Sequence, residues 1–419
     1  MAIIKPFRAV RPAQGLEAEV VSLPYDVMNS KEAREMAAGK PNSFLHVSRA
    51  EIDLPEGTDE HAQLVYDKAR DNFKQMIAKG VLMQDTHDCV YIYQQVMNGR
   101  VQTGLVALSS VEDYFNNVIK KHEFTRPEKE EDRIHHMETL QAHVGPIFLT
   151  YPNDHKIDMV VKAYTTGHHK PVYDVTTEDG IRHTVWVVDN SQLVNHMVTV
   201  FKEDVKFTYI ADGHHRTASA AKVGLKMKEA NPNHTGEEEY NFFLSVLFPD
   251  NQLAIMDYNR VIKDLNGLTK ADFLKKLEPN FTIQPYAAGT EPEAARPQAL
   301  HEFALYIEGT WYKLNSKPGT FSQDPIGILD VTILENHVLK PLLGIEDQRT
   351  DKRIDFIGGI RGLKELQRRV DNGEMKLAIA LYPVSLKQLM DIADSGQVMP
   401  PKSTWFEPKL RDGFFSHLF

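Results

Sequence analysis

Apolar positions along this chain alternate between helical and strand-like spacing, and the two rhythms take turns from end to end. Helical spacing is clearest over 60–79, where Leu64, Ala69, Phe73, Met76 and Ile77 share a face and Gly80 ends the run. It returns over 130–143, with Ile134, Met137, Leu140 and Val144 on one face. After Asp212 it reappears as Ala220, Val223 and Met227, with Ala221 and Leu225 four apart beside them. PIGILDVTILENHVLKPLLG is expected to form a long amphipathic helix ending near Gly344, and VSLKQLMDIADSG a helix closed by Gly396. Asn29 with Glu32 reads as a capping box, and Thr269 as the cap of a short helix to Leu277.

Between these runs lie strands. Asn98-Gly99 joins two β-rich stretches, 90–97 and 100–108, and is the strongest short-range hairpin signal, because both residues tolerate positive φ. Further hairpins are expected in VYDVTTEDGIRHTVWVV, turning at Asp179-Gly180, and in FALYIEGTWYKLN, turning at Gly309-Thr310. NFFLSVLF is apolar throughout and reads as a buried strand of a central sheet; LAIMDYNRVI and KLAIALYPV are further strands. Hairpins alternating with helices predict an α+β protein with mixed sheets. The chain divides into segments 1–110, 111–250 and 251–419, without internal repeats or low-complexity linkers.

Composition narrows the function classes. The 419 residues can bury a sizeable core and are 42% hydrophobic and 25% charged, as in ordinary globular proteins. A net charge of −10 argues against a nucleic-acid partner, which needs a basic face, while leaving room for a local basic pocket. Cys89 is the sole cysteine, so no intrachain disulfide forms, in keeping with a reducing cytoplasm. MAIIKPFRAV has no secretory h-region and no apolar run approaches membrane-spanning length, so a cytoplasmic protein without a membrane partner is expected. A homodimer is left open.

The chemistry concentrates in KFTYIADGHHRTASAAKVGLKMKEA, residues 206–230. A short strand leads into Asp212-Gly213-His214-His215-Arg216 and then a helix, whose first N–H groups lack helical partners and, with the dipole, favour an anion. Gly213 permits close backbone approach, Arg216 can grip phosphate oxygens in pairs, and Asp212 can meet a magnesium ion bridging to the phosphates. The plain alternative makes Asp212 a cap, His214 and His215 solvated, and Arg216 a surface cation. A cap alone needs neither two histidines nor an arginine.

A second candidate lies in KKHEFTRPEKEEDRIHHMETLQAHVG. Either Glu128 to Asp132 is an acidic first turn with solvated histidines around it, or Glu123 is a base for a hydroxyl, with His122 and Arg133 holding substrate or phosphate. Neighbouring histidines such as His135-His136 diverge by about 100° on a helix, and no HExxH or Cys/His spacing occurs, so zinc is not expected. Tyr25 and Asp26 either serve a pocket or form the turn before a helix. Gly358, Gly359 and Gly362 around Arg361 lack a Walker lysine and suit a flexible lead-in to a packed helix. In MPPKSTWFEPKLRDGFF the prolines and aromatic residues predict an ordered tail. It is either a packed strap or a cationic wall carrying Lys402, Ser403, Lys409 and Arg411.

The string ADGHHR after a strand resembles the phosphate-binding turn of the ParB/sulfiredoxin superfamily, and within it the free-serine kinase branch, which carries the same Asp-Gly-His-His-Arg. The whole chain resembles the bacterial domain-of-unknown-function family 1015 through KPFRAVRP, SLPYDV, FLHVSRAEIDLP, KKHEFTRPEKEEDR, YIADGHHRTASA and MPPKSTWFEPKLRDG. The resemblance implies a ParB/sulfiredoxin-like nucleotide-binding core in 111–250, elaborated on both sides. It implies ATP or ADP with Mg2+ as cofactors and phosphoryl transfer to or from a small hydroxy amino acid, free serine or O-phosphoserine being the guess. The kinase branch has a His-Glu pair upstream of its turn with the glutamate as base, a role carried over to Glu123. Asp212 and His214 join it as catalytic candidates, Asp212 also holding the metal. Gly213, His215, Arg216 and Thr217 are the nucleotide-binding candidates, and His122, Arg133 and Lys402 the substrate-binding ones. Two alternatives remain: a nucleotide-binding regulatory module without turnover, as in relatives where this turn binds CTP, and an O-phosphoserine phosphatase with water as acceptor.

Overall fold

The structure, a computed structural model, describes residues 1–419. The chain forms two compact units: Met1–Leu253 together with Pro408–Phe419, and Ala254–Glu407. Both are α+β.

The first unit is built on a nine-stranded mixed sheet. Its strands run Ile119–Lys120, Thr208–Asp212, Ile147–Tyr151, Phe242–Pro249, Arg100–Ser110, Val90–Met97, Arg182–Val188 and Tyr173–Thr176, with Ile4–Lys5 joining at Leu108 and Ser109. Strand Phe242–Pro249 is apolar because it is covered on both faces; it pairs in parallel with Ile147–Tyr151 and antiparallel with Arg100–Ser110. The Asn98-Gly99 hairpin forms in register, Met97 opposite Arg100, with φ of 52° and 80° at the two turn residues. One sheet thus takes strands from both sides of residue 110. Helices His214–Ala230 and Pro127–Leu140 pack on each other, and Ser219 Oγ donates to the Glu130 carbonyl at 3.0 Å.

The periodicity misplaces some faces. Helix Gln63–Ala78 buries Val65, Tyr66, Ala69, Asn72, Phe73 and Met76, whereas Leu64, expected inward, is 49% exposed at the first turn. Leu225 is likewise 39% exposed, although Ala221, one turn before it, is fully buried. Val144 is buried but lies beyond its helix, which stops where Gln141 turns left-handed at φ 53°. His136, solvated in the plain reading, is buried with Nε2 3.1 Å from the Val47 carbonyl.

The second unit carries a six-stranded antiparallel sheet in the order Phe281–Pro285, Thr310–Ser316, Glu302–Ile307, Leu377–Leu381, Tyr258–Ile262 and Ile354–Gly358. LAIMDYNRVI is not one strand: it breaks at buried Asp257, whose carboxylate takes Arg296 at 2.6 Å. The long helix expected before Gly344 shrinks to Asp330–Leu334 followed by a π-helical turn, Glu335–Leu339. Asp324 explains the loss of its first part, since Oδ1 accepts from the N–H of both Ile326 and Gly327 at 3.0 Å and so holds a turn.

The chain's last residues return to the first unit. Ser22 and Asp412 exchange backbone hydrogen bonds of 3.1 Å, His417–Leu418 pairs with Ala142–His143, and Phe414 and Phe415 are buried. No helix is long and apolar enough to cross a membrane.

Candidate anion-binding site

Strand Thr208–Asp212 reaches its end through an irregularity. Ile210 faces Leu149, but Asp212 already faces Phe148, so the pairing shifts and the end of the strand is re-aimed. Gly213 then takes φ 94°, ψ 33°, and the helix starts at His214. A side chain at 213 would suffer both from that φ and from Arg216 Nε, 3.2 Å from where its Cβ would stand.

Arg216 lies on the first turn and is buried. Nη1 donates to the Pro146 carbonyl at 2.7 Å, and Nη2 is 4.0 Å from Asp26 Oδ2. Nε is buried without a protein partner, as are His214 Nε2 and Asp412 Oδ1. Burial opposes the Arg216 charge, but Asp26, Asp212, Tyr25 and Asp412 outweigh it and keep the guanidinium a firm cation. Asp212 is half-buried and desolvation opposes its charge, yet Lys409 and Arg216 hold its carboxyl far below the usual range. Its Oδ1 accepts from the Gly213 N–H at 2.9 Å and its Oδ2 meets Lys409 Nζ at 3.1 Å. Burial pushes Asp412 the other way, up to about 7, with Arg216 pulling against it.

Glu123 and His122 sit across from the turn. Glu123 Oε2 is 3.9 Å from His214 Nδ1, and the rings of His122 and His214 meet edge-to-face with centroids 4.4 Å apart. Burial drives His214 down to about 4 and His122 well below its ordinary value, so both imidazoles are neutral at pH 7. Beside them, His215 Nε2 accepts the Arg126 N–H at 3.1 Å, tying the loop that carries Glu123 to the turn. Thr217, fully buried, donates its hydroxyl to the Gly213 carbonyl at 2.9 Å.

Arg133 adjoins this group through Tyr25. Its guanidinium lies over the Tyr25 ring at 4.0 Å and pairs with Asp132 at 2.7 Å, and burial raises the Tyr25 phenol to about 12. Lys402 belongs to the second unit, where its ammonium lies 5.6 Å from the Tyr258 ring centre. Of the other tail cations, Lys409 reaches Asp212, whereas Arg411 pairs with Asp179. Periodicity and motif reading missed Pro146 and Asp412; only the RDG that follows Lys409 and Leu410 gave any hint of the latter.

A family model described as "Protein of unknown function (DUF1015)" matches residues 4–332. The chain belongs to this family. No curated protein matches it. Among solved structures it is similar to a free serine kinase in complex with AMP, with 13% identity over 74% of this chain and 91% of that one, at a TM-score of 0.35. A conserved hypothetical protein from Pyrococcus furiosus shares 15% identity over 74% and 94% of the two chains, at 0.34. SbnI with a C-terminal truncation, from Staphylococcus aureus, shares 12% over 73% and 85%, at 0.34. Likenesses this loose transfer neither residues nor ligands, so the family member's site rests on its own geometry.

Proposed function

We propose that the chain is a nucleotide-dependent phosphotransferase that moves a phosphoryl group to or from a small hydroxy amino acid, free serine or O-phosphoserine, with ATP or ADP. The observation that carries this reading is Arg216: a buried cation on the first turn of a 17-residue helix, its Nε without a protein partner. A phosphate seated there meets Arg216 and the N–H groups of the helical turn that follows Gly213. The Asp-Gly-His-His-Arg string, shared with the free-serine kinase branch, supports the choice of phosphate over other anions.

Glu123 is the candidate base. It stands within one small molecule's span of the turn, and its loop is held by the Arg126–His215 hydrogen bond. It accepts the acceptor's hydroxyl proton as oxygen attacks phosphorus, while neutral His214 and His122 wall the proton's path. Arg133, whose guanidinium lies over the Tyr25 ring, is the candidate for a second anionic group. No cluster of three or more His, Cys, Asp or Glu side chains is arranged to hold a metal ion. Asp212 alone fits a magnesium ion that arrives on the nucleotide and takes one carboxylate. Such an ion neutralises phosphate charge; the chain's own part is to position and desolvate the reactants.

The test is a panel of nucleotides and hydroxy amino acids incubated with the protein and magnesium and read by phosphorus NMR. A new phosphomonoester resonance with serine and ATP or ADP is expected. Nucleotide binding without turnover on any acceptor would make the protein a regulatory module, and release of inorganic phosphate from O-phosphoserine alone would make it a phosphatase.

A further inference from the structure

The cation that meets Asp212 comes from residue 409, beyond the stretch 4–332 that the family model matches. We propose that Lys409 is the second phosphate-binding cation of this site and that Asp212 parks it when no ligand is present. The inference rests on the anion-site reading above and adds a residue to it.

The lysine is not a solvated surface cation. Its side chain is 14% exposed and that of Asp212 31%, and the two meet at 3.1 Å. Exposed ion pairs contribute little because water and side-chain entropy compete with them; this pair is partly shielded from both. The backbone beneath it is also held. The Lys409 carbonyl accepts from Gln95 Nε2 at 2.9 Å, and Gln95 Oε1 accepts from Gln102 Nε2 at 2.9 Å, with both glutamines buried. Downstream, Arg411 is tied to Asp179 and Thr177, Asp412 to Ser22, and the two phenylalanines are buried. A segment anchored at the lysine's own carbonyl and again after it presents that lysine to the turn.

The pair is also built to exchange. Asp212 keeps its Gly213 N–H through Oδ1 whether or not Oδ2 holds the lysine. Lys409 therefore transfers from carboxylate to phosphate by moving only its own flexible stem, which carries three donors. Arg216 cannot make that move, since Nη1 is fixed on the Pro146 carbonyl. One rigid and one mobile cation then face the ligand, and Asp212 Oδ2 is released when the phosphate arrives.

Calorimetry with metal-free ADP on the full chain tests this, comparing wild type, D212N and the double variant D212N/K409M. The last two both lack the ion pair and leave no stranded carboxylate, so their difference isolates what the lysine does for the ligand. D212N is expected to bind at least as tightly as wild type. D212N/K409M should bind at least roughly tenfold more weakly than D212N, the low end for a charge-assisted hydrogen bond, with cooperative melting retained in both. Equal affinity of the two variants would leave Lys409 only a counter-ion for Asp212 and overturn the proposal. If wild type binds no ADP, with or without magnesium, the anion-site reading falls and this inference with it.

Discussion

Two turns in this molecule share one local design and come to opposite ends. In the first unit, strand Thr208–Asp212 passes through Gly213 into helix His214–Ala230. In the second, strand Ile354–Gly358 passes through Gly359–Arg361 into helix Gly362–Asp371. Both leave helical N–H groups to be satisfied. The second turn is filled from within: Glu293 Oε1 accepts the Leu363 N–H at 2.6 Å, and Arg296 holds the other carboxylate oxygen at 2.7 Å. Trp405 closes over Gly358, 2.7 Å from where a Cβ would stand, and Gly359 donates to the Asp257 carbonyl at 2.7 Å. Burial works against the Glu293 charge, yet Arg296 and Leu363 pull its carboxyl below the ordinary range. At the first turn Asp212 Oδ1 accepts the Gly213 N–H, and the helix begins at His214. The buried carboxyl of Asp412, which acts on Arg216, has an oxygen without a partner and is pushed up to about 7. At the second turn a carboxylate from elsewhere in the chain takes the place that the proposed phosphate would take at the first.

The largest effect expected from breaking this contrast is on turnover. Glu123→Gln keeps shape and hydrogen bonding but removes the base, so turnover should fall by about 10²–10⁴-fold with nucleotide affinity nearly unchanged. Turnover equal to wild type would return the first turn to a binding role alone.

Asp412→Asn tests how far the first turn is left unfilled. A carboxyl whose folded pKa lies above its unfolded value binds more protons when folded, so stability is lost as pH rises from about 4 to about 7 and the loss then levels off. Removing the charge should stabilise the protein by up to about 4 kcal/mol at pH 8 and by nothing measurable at pH 4. Denaturant unfolding at the two pH values measures this, and a pH-independent difference would show that Asp412 does not titrate there.

Arg216→Ala should weaken nucleotide binding by at least roughly 1.5 kcal/mol, whereas Arg361→Ala at the second turn should leave it unchanged. Equal effects, or none from Arg216, would erase the distinction between the turns. The smallest effect belongs to the filled turn itself. Glu293→Gln, which removes the charge facing Leu363 and Arg296, should destabilise the second unit by about 1 kcal/mol without altering nucleotide affinity, measured by chemical unfolding and calorimetry.

Local rules were enough for much of the architecture. The Asn98-Gly99 hairpin, the Asn29–Glu32 capping box and buried strand Phe242–Pro249 depend on backbone preferences and on neighbours a few residues away, and those are written in the chain. So was the strand–turn–helix around Gly213, since positive φ and a helix start need only nearby residues. What surrounds that turn was only partly legible: Tyr25, Asp26 and Lys409 stood as candidates, but their partners did not. Tyr25, Asp26, Pro146, Lys409 and Asp412 come from distant segments, and only sheet pairing and the return of the tail bring them to Arg216. The sides of Leu64 and Leu225, and the loss of the helix before Gly344, were likewise settled by packing partners and by Asp324 rather than by spacing. Period and propensity act over a turn or two of chain. Charge, burial and pKa depend on whatever the fold brings within a few ångströms, and that was decided only in three dimensions.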